Sequence, residues 1–301
     1  MSGVPMVLAG ACALLVALGG CGGSSGSAAG GGQSPGGSPG SAHAAKGARG
    51  PERAVALLRP GPATTTRTVR VPVLTWHRVH EFATELTKSI PDLTVEPSTF
   101  AAEVDTLAVH GYHSITQRQL FDALYHGRAL PSRPVLLTFD DGYVDDVKSV
   151  LPVLTAHHMV ATFYIITRRF HEPGFLTAGE VRRLDRAGMD IGAHTRTHVP
   201  LNAVTTAEMK NQILGSRDDL QRVVNHPVQW FAYPFGVFTA AVVSEVRNAG
   251  FVLAVTTQGG TRASSAASLT LPRIHVGRAQ TAAGVLACAQ ATTGACGGGG
   301  G

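Results

Sequence analysis

The first forty residues of this 301-residue chain contain no charged side chain, so the N-terminus lacks the Lys or Arg of an ordinary export signal. What it holds instead is an apolar run, Val7 to Leu18. That run has signal-peptide length and is too short for a comfortable transmembrane helix. Residues 22–66 are Gly, Ser, Ala and Pro with almost nothing to bury, and read as a flexible tether. The part expected to fold lacks net charge. Between positions 41 and 70, Lys46, Arg49, Arg53, Arg59, Arg67 and Arg70 face only Glu52, an excess equal to the whole chain's formal +5. The remaining 19 basic and 19 acidic residues cancel, so the basic character belongs to the tether and gives no ground for a nucleic-acid groove.

Cysteine is sparse. Cys12 would leave with the signal, and Leu18-Gly19-Gly20-Cys21 resembles a bacterial lipobox, in which the cysteine becomes a lipidated first residue. Lipid anchoring on the outer face of the cell membrane is the expectation, with an ordinary secretory signal as the alternative. Cys288 and Cys296 lack metal-site spacing with any nearby His and could form a disulfide outside the cytoplasm. The expected organisation is a signal at 1–20, a lipidated Gly/Ser/Pro linker at 21–67, a catalytic domain at 68–280 and a disordered tail at 281–301.

Residues 68–280 alternate between strand and helix signals. Strands are expected at Val71–Trp76, Pro134–Phe139, Ala161–Ile166, Met189–Ala193, Val228–Tyr233, 251–256 and 269–276. Thr116 with Gln119, Thr177 with Glu180 and Thr205 with Glu208 open helices as capping boxes. Helix, glycine, apolar strand recurs at Gly111-Tyr112, Gly188-Met189 and Gly250-Phe251, the pattern of repeated βα units around a parallel sheet. About seven units suggest an α/β fold built as a distorted (β/α) barrel, ahead of an open doubly wound sheet.

Three strand ends carry chemistry. Thr138-Phe139-Asp140-Asp141-Gly142 places two acids together, and since touching carboxylates repel, one is expected to bind a cation and the other to remain a free base. His194-Thr195-Arg196-Thr197-His198 spaces two histidines four apart, read here as one helical turn gripping a metal ion. A His-His-Asp set leaves positions open for water and substrate. Tyr233-Pro234-Phe235-Gly236 is a turn whose backbone N–H can face a developing oxyanion. Trp76-His77 closes the first strand, and Arg273-Ile274-His275 the last.

Those three motifs, in that order, resemble the polysaccharide deacetylases, the NodB-homology or carbohydrate esterase family 4 group, over roughly residues 70–280. The opening Pro72-Val73-Leu74-Thr75-Trp76-His77 and the closing Leu271-Pro272-Arg273-Ile274 are similar to the branch acting on poly-N-acetylglucosamine. The resemblance implies a divalent metal, Zn²⁺ by expectation, on Asp141, His194 and His198. It implies Asp140 as the base taking a proton from metal-bound water, and Tyr233-Pro234-Phe235 at the substrate and oxyanion, with the Phe235 N–H as donor. It implies His77 as the general acid, with His275 second. The family's usual Arg two residues before the proline of the third motif is Ala232 here, and Arg273 is expected to supply that charge. The implied activity is metal-dependent removal of N-acetyl groups from N-acetylglucosamine-containing envelope polysaccharide. A carbohydrate-binding relative without catalysis and an O-acetyl metallo-esterase are the alternatives.

Overall fold

The computed structural model describes residues 57–61, 65–84 and 91–293. The expected signal, Cys21 and Cys296 lie outside those residues. The chain runs β1 (Thr68–Arg70), β2 (Val73–Trp76), β3 (Arg78–Val79), β4 (Thr94–Val95), α1 (Pro97–Val109), β5 (His113–Ser114), α2 (Gln117–His126) and β6 (Pro134–Phe139). It continues through α3 (Leu151–Ala156), β7 (Thr162–Ile165), α4 (Ala178–Arg186), β8 (Asp190–Ala193), α5 (Thr206–Val224) and β9 (Trp230–Ala232). It ends with α6 (Ala240–Asn248), β10 (Leu253–Val255), β11 (Arg262–Ser264), β12 (Ile274–His275) and α7 (Ala282–Gln290).

The main sheet is parallel throughout, in the order β10-β9-β8-β7-β6-β2-β12. Its two edges meet through one short segment. Leu271 bridges to Val255 of β10, while Ile274 and His275 pair with Leu74 and Thr75 of β2. The result is a curled half-barrel that this last segment draws together, and helices cover its outer face as parallel sheets require. Apolar strands such as Val135-Leu136-Leu137 are buried on both sides. Gly111, Gly188 and Gly250 sit at φ 73°, 87° and 84°, the left-handed turn that stops each helix before its strand.

Thr116 and Thr177 form full capping boxes with Gln119 and Glu180, and Thr205 accepts from the Glu208 N–H. Just before α3 the backbone departs from α-helix, with Asp146–Val150 wound as a π-helix.

Two boundaries need correction. The tail expected to be disordered contains α7, capped by Thr281 and packed on α1 through Val285, Cys288 and Ala289. Cys288 is buried and disulfide-bonded. The linker expected to extend to 67 is already fixed at Leu58, whose N–H and C=O both bond the Gln229 side-chain amide, at 2.7 and 2.8 Å.

Trp76 and Trp230 belong to the core. The Trp76 indole N–H donates to Glu103 at 2.9 Å, and burial, opposed by that bond, pushes the Glu103 carboxyl up to about 7. A raised carboxyl favours the fold at low pH and loses that advantage as pH rises through the folded value. Unfolding free energy is therefore expected to fall between about pH 4.5 and pH 7, by up to about 3 kcal/mol. Urea melts of Glu103→Gln at pH 5 and pH 8 should lack this fall; an unchanged pH dependence would contradict it.

Candidate metal centre and active site

The three motifs converge at the carboxyl ends of β6, β8 and β9, where ligands gather in such sheets. Asp141, two residues past the end of β6, stands at φ 76° and is buried. Its Oδ1 lies 3.6 Å from His194 Nε2 and 3.6 Å from His198 Nε2, with no hydrogen-bond partner among the described residues. All three ligand atoms fall within 4.8 Å of one another. A buried carboxylate oxygen left without a donor, facing two imidazole nitrogens, is the donor set a divalent cation takes. His194 Nδ1 bonds the Ala232 carbonyl at 2.8 Å, which leaves Nε2 as its free nitrogen. The residues therefore fit a metal.

The histidines do not share a helical turn. β8 ends at Ala193, and residues 194–198 form a loop in which Thr195 (φ 64°) and His198 (φ 59°) are left-handed. The His198 N–H donates to Thr195 Oγ1 at 3.0 Å. Burial and the His194 ring hold His198 down at about 4 despite the nearby carboxylates, keeping it neutral and able to bind a cation.

Asp140 is held differently. Arg273 reaches it from the segment before β12 with a bidentate pair, NH1 to Oδ1 at 2.8 Å and NH2 to Oδ2 at 2.6 Å. Arg273 is 2% exposed. Its Nε donates to Thr256 O at 2.9 Å, and NH1 also reaches Thr75 Oγ1 and Thr138 Oγ1 at 2.9 and 3.3 Å. Burial would raise the Asp140 carboxyl, but the Arg273 charge and hydrogen bonds outweigh it and hold Asp140 well below the usual carboxylate range. Next in the chain's acidic run, Asp146 is buried and lies well above that range, through burial and the charges of Asp145, Asp141 and Asp140.

His77 follows β2 and its Nδ1 is buried without a partner among the described residues. Burial lowers its pKa, while Asp141 and Asp140 pull the other way. The His275 ring lies 5.5 Å from the His77 ring, and the residue is exposed. In the third motif, Tyr233 is part of the core, and its hydroxyl donates to Leu269 O at 2.9 Å, so its side chain does not face the site. Pro234 is buried too. Phe235 stands at φ 58° with its ring 58% exposed and 4.5 Å from the His198 ring. The bonds of this turn run from the Gly236 N–H to Tyr233 O and the Val237 N–H to Pro234 O, and do not engage the Phe235 N–H. Thr75 and Thr138 stand inside the quoted motifs without a signal that they seat Arg273, and Thr256, which contributes its backbone O, stands outside them.

This is a βα half-barrel with a candidate metal centre and an ion-paired carboxylate at one end of its strands. Residues 127–254 match the polysaccharide deacetylase family. YxkH of Bacillus subtilis (strain 168), named as a polysaccharide deacetylase, is 24% identical over 212 residues, 70% of this chain and 73% of that protein. The poly-beta-1,6-N-acetyl-D-glucosamine N-deacetylase of Escherichia coli (strain K12) is 22% identical over 246 residues, 67% of this chain but only 36% of that protein. Among solved structures, Streptococcus pyogenes deacetylase PplD in complex with acetate is 25% identical with a TM-score of 0.68, covering 73% of this chain and 98% of that one. Residues 127–254 are thus similar to a polysaccharide deacetylase domain, and the fold around them is similar to that of the solved deacetylase.

Proposed function

We propose that this chain is a metal-dependent hydrolase that removes N-acetyl groups from N-acetylglucosamine-containing envelope polysaccharide. The observation that carries the reading is a Asp141–His194–His198 cluster beside an ionised, buried Asp140. A binding module has no use for a second carboxylate kept charged at the cost of burying a guanidinium. Asp141, His194 and His198 would hold the ion, Zn²⁺ by expectation. When bound, it would acidify water and polarise the acetamide carbonyl.

The chain's own groups do the rest. Asp140, kept anionic by Arg273, accepts the proton of the attacking water. The Phe235 N–H donates to the oxyanion, and the Phe235 ring over His198 borders the sugar. His77, facing both carboxylates, protonates the departing amine. The test is acetate release from N-acetylglucosamine oligomers by protein stripped of metal and then reloaded with Zn²⁺. Release that returns with the ion supports the reading. Tight ion binding without release from N-acetylated glycans would replace it with the carbohydrate-binding alternative.

The assignment of the acid has its own check. His77→Ala is expected to lower kcat on glycan amides by about 10²–10⁴, and far less on an aryl acetate, whose leaving group needs no proton. Equal losses on both substrates, or a larger loss in His275→Ala, would move the role elsewhere. Export is part of the proposal: Cys21 anchors the domain outside the cell membrane. Radiolabelled palmitate is expected on the full chain and absent from Cys21→Ala, and an unlabelled full chain would leave the secreted form.

A further inference from the structure

The loop bearing both histidine ligands holds two non-glycine residues in left-handed backbone conformations, and one of them, Thr195, is β-branched and fully buried. Such a residue costs on the order of 1–3 kcal/mol and persists only where its surroundings over-determine it. One wall of the loop is held by backbone bonds, from the Thr167 N–H to Thr195 O at 3.2 Å and from the Arg168 N–H to Arg196 O at 2.9 Å. Two of the loop's own N–H groups, those of Arg196 and Thr197, turn toward α5.

There Gln212 Oε1 accepts from two consecutive backbone donors, the Arg196 N–H at 2.9 Å and the Thr197 N–H at 3.0 Å. Two N–H donors on one atom identify it as the amide oxygen. The amide nitrogen then donates to Thr197 Oγ1 and to Glu208 Oε1, both at 2.7 Å. Gln212 is 2% exposed, while its partners Thr197 and Glu208 reach the surface. The same face of α5 receives the Arg196 side chain. Asp219, two turns after Gln212, takes Arg196 Nε at 2.9 Å and NH2 at 3.2 Å. Between them lies Gly215, where a Cβ would come within 2.6 Å of Arg196 Cδ. Positions 212, 215 and 219 fall on one helical stripe.

We infer that Gln212 is a positioning residue for the metal centre, fixing the loop between His194 and His198 in the shape that turns both imidazoles toward Asp141. It touches neither the ligand atoms nor the substrate. It acts by bonding the two peptide N–H groups that lie between the ligands, and Asp219 and Gly215 extend the same docking stripe. The inference rests on the metal reading above and goes one step further, from which residues bind the ion to what sets their spacing. Outer groups that orient metal ligands typically carry 10–100-fold in affinity when removed.

The experiment compares Zn²⁺ affinity, by competition with a chromophoric chelator, and the Co²⁺ absorption spectrum in the full chain, Gln212→Leu and Gln212→Glu. Leucine keeps volume and removes the acceptor. Glutamate keeps an acceptor for both N–H groups, and the Thr197 hydroxyl can turn to donate to it. Its second oxygen would meet Glu208 Oε1, so Gln212→Glu is made together with Glu208→Gln, whose amide donates in its place. Gln212→Leu should bind Zn²⁺ 10–100-fold more weakly and show an altered Co²⁺ spectrum, while Gln212→Glu with Glu208→Gln recovers most of both. Affinity within threefold of the parent in Gln212→Leu, or an equal loss in both variants, would overturn the inference. Amide hydrogen exchange on the metal-free parent tests it without any variant. The Arg196 and Thr197 amides should be protected to the level of α5, and exchange at an open-loop rate would overturn it as well. A parent that binds no divalent ion would instead refute the metal reading, whatever the exchange data say.

Discussion

Arg273→Met is expected to destabilise the protein by about 3–5 kcal/mol and to abolish most of its activity, although Arg273 touches no expected metal ligand. The guanidinium is buried and its donors are spent on Asp140, Thr256 O, Thr75 and Thr138. Removing it strands a carboxylate in a site where burial alone drives its pKa upward. The sign of the pH effect follows. In the parent, Asp140 is depressed in the fold, so its contribution is present above the unfolded carboxylate value and lost as pH falls. In Arg273→Met the desolvation loses its main opponent, leaving only the His194 and His77 rings against it. The carboxyl rises, and the variant should lose stability as pH increases instead. Urea melts from pH 4 to pH 8 measure this, and the acid limb of the rate profile should move to higher pH with it. Adding Asp140→Leu to Arg273→Met removes the stranded charge and should recover much of the stability while recovering none of the rate. A single variant as stable as the parent across this range would show that the pair is not what holds Asp140 ionised.

The relocation of this arginine marks what a sequence can and cannot reveal here. That position 232 holds Ala, where an arginine was expected, is plain from the third motif, and the supply of charge from Arg273 could be framed as an expectation. The groups seating Arg273, Thr75 Oγ1 of β2, Thr138 Oγ1 of β6 and the Thr256 carbonyl after β10, meet only in the folded sheet. Local signals were legible because their physics is local. The capping boxes at Thr116 and Thr177, and the glycines after α1, α4 and α6, act within a few residues of themselves.

The shape of the histidine motif was not legible, because a spacing of four fits both a helical turn and a loop with two left-handed residues. What selects the loop is α5, through Gln212, some fifteen residues downstream. α7 was hidden for another reason. Its Ala- and Gly-rich sequence lacks a polar-apolar contrast, although alanine is the best helix former and small side chains allow close packing on α1. The Leu58 anchor depends on Gln229, 171 positions away.

Strain follows the chemistry. Asp141, Thr195, His198 and Phe235 all take positive φ without being glycine, and they lie just past three strands of one site, β6, β8 and β9. Among the described residues only Arg133, His158 and Asn225 otherwise do so. At Gly236 the turn also demands absence of a side chain, since a Cβ would lie 2.0 Å from Thr257 Oγ1. Backbone held this way buys pre-organisation, with ligand and donor atoms already aimed before substrate arrives.

The second large effect is expected at Asp140 itself. Asp140→Asn should lower kcat for acetate release by about 10²–10⁴ and leave Zn²⁺ affinity close to that of the parent. The two carboxylates sit one residue apart yet do different work, because their surroundings differ. Asp141 faces two imidazole nitrogens, and Asp140 faces a guanidinium. An asparagine keeps the volume and one acceptor, but its amide group would point donors at the donors of Arg273, so some stability is lost as well. Activity must therefore be compared well below the melting temperature, with metal content measured on the same samples. A loss of rate with the ion retained assigns proton transfer to Asp140. Loss of both rate and ion would mean that the two acids act as one ligand set, and the base would have to be sought elsewhere. A basic group so strongly paired is a poor proton acceptor in isolation, so the pairing serves to keep Asp140 charged inside a buried site. The driving force for transfer must then come from acidified water, and rate in the parent should track ion occupancy in proportion.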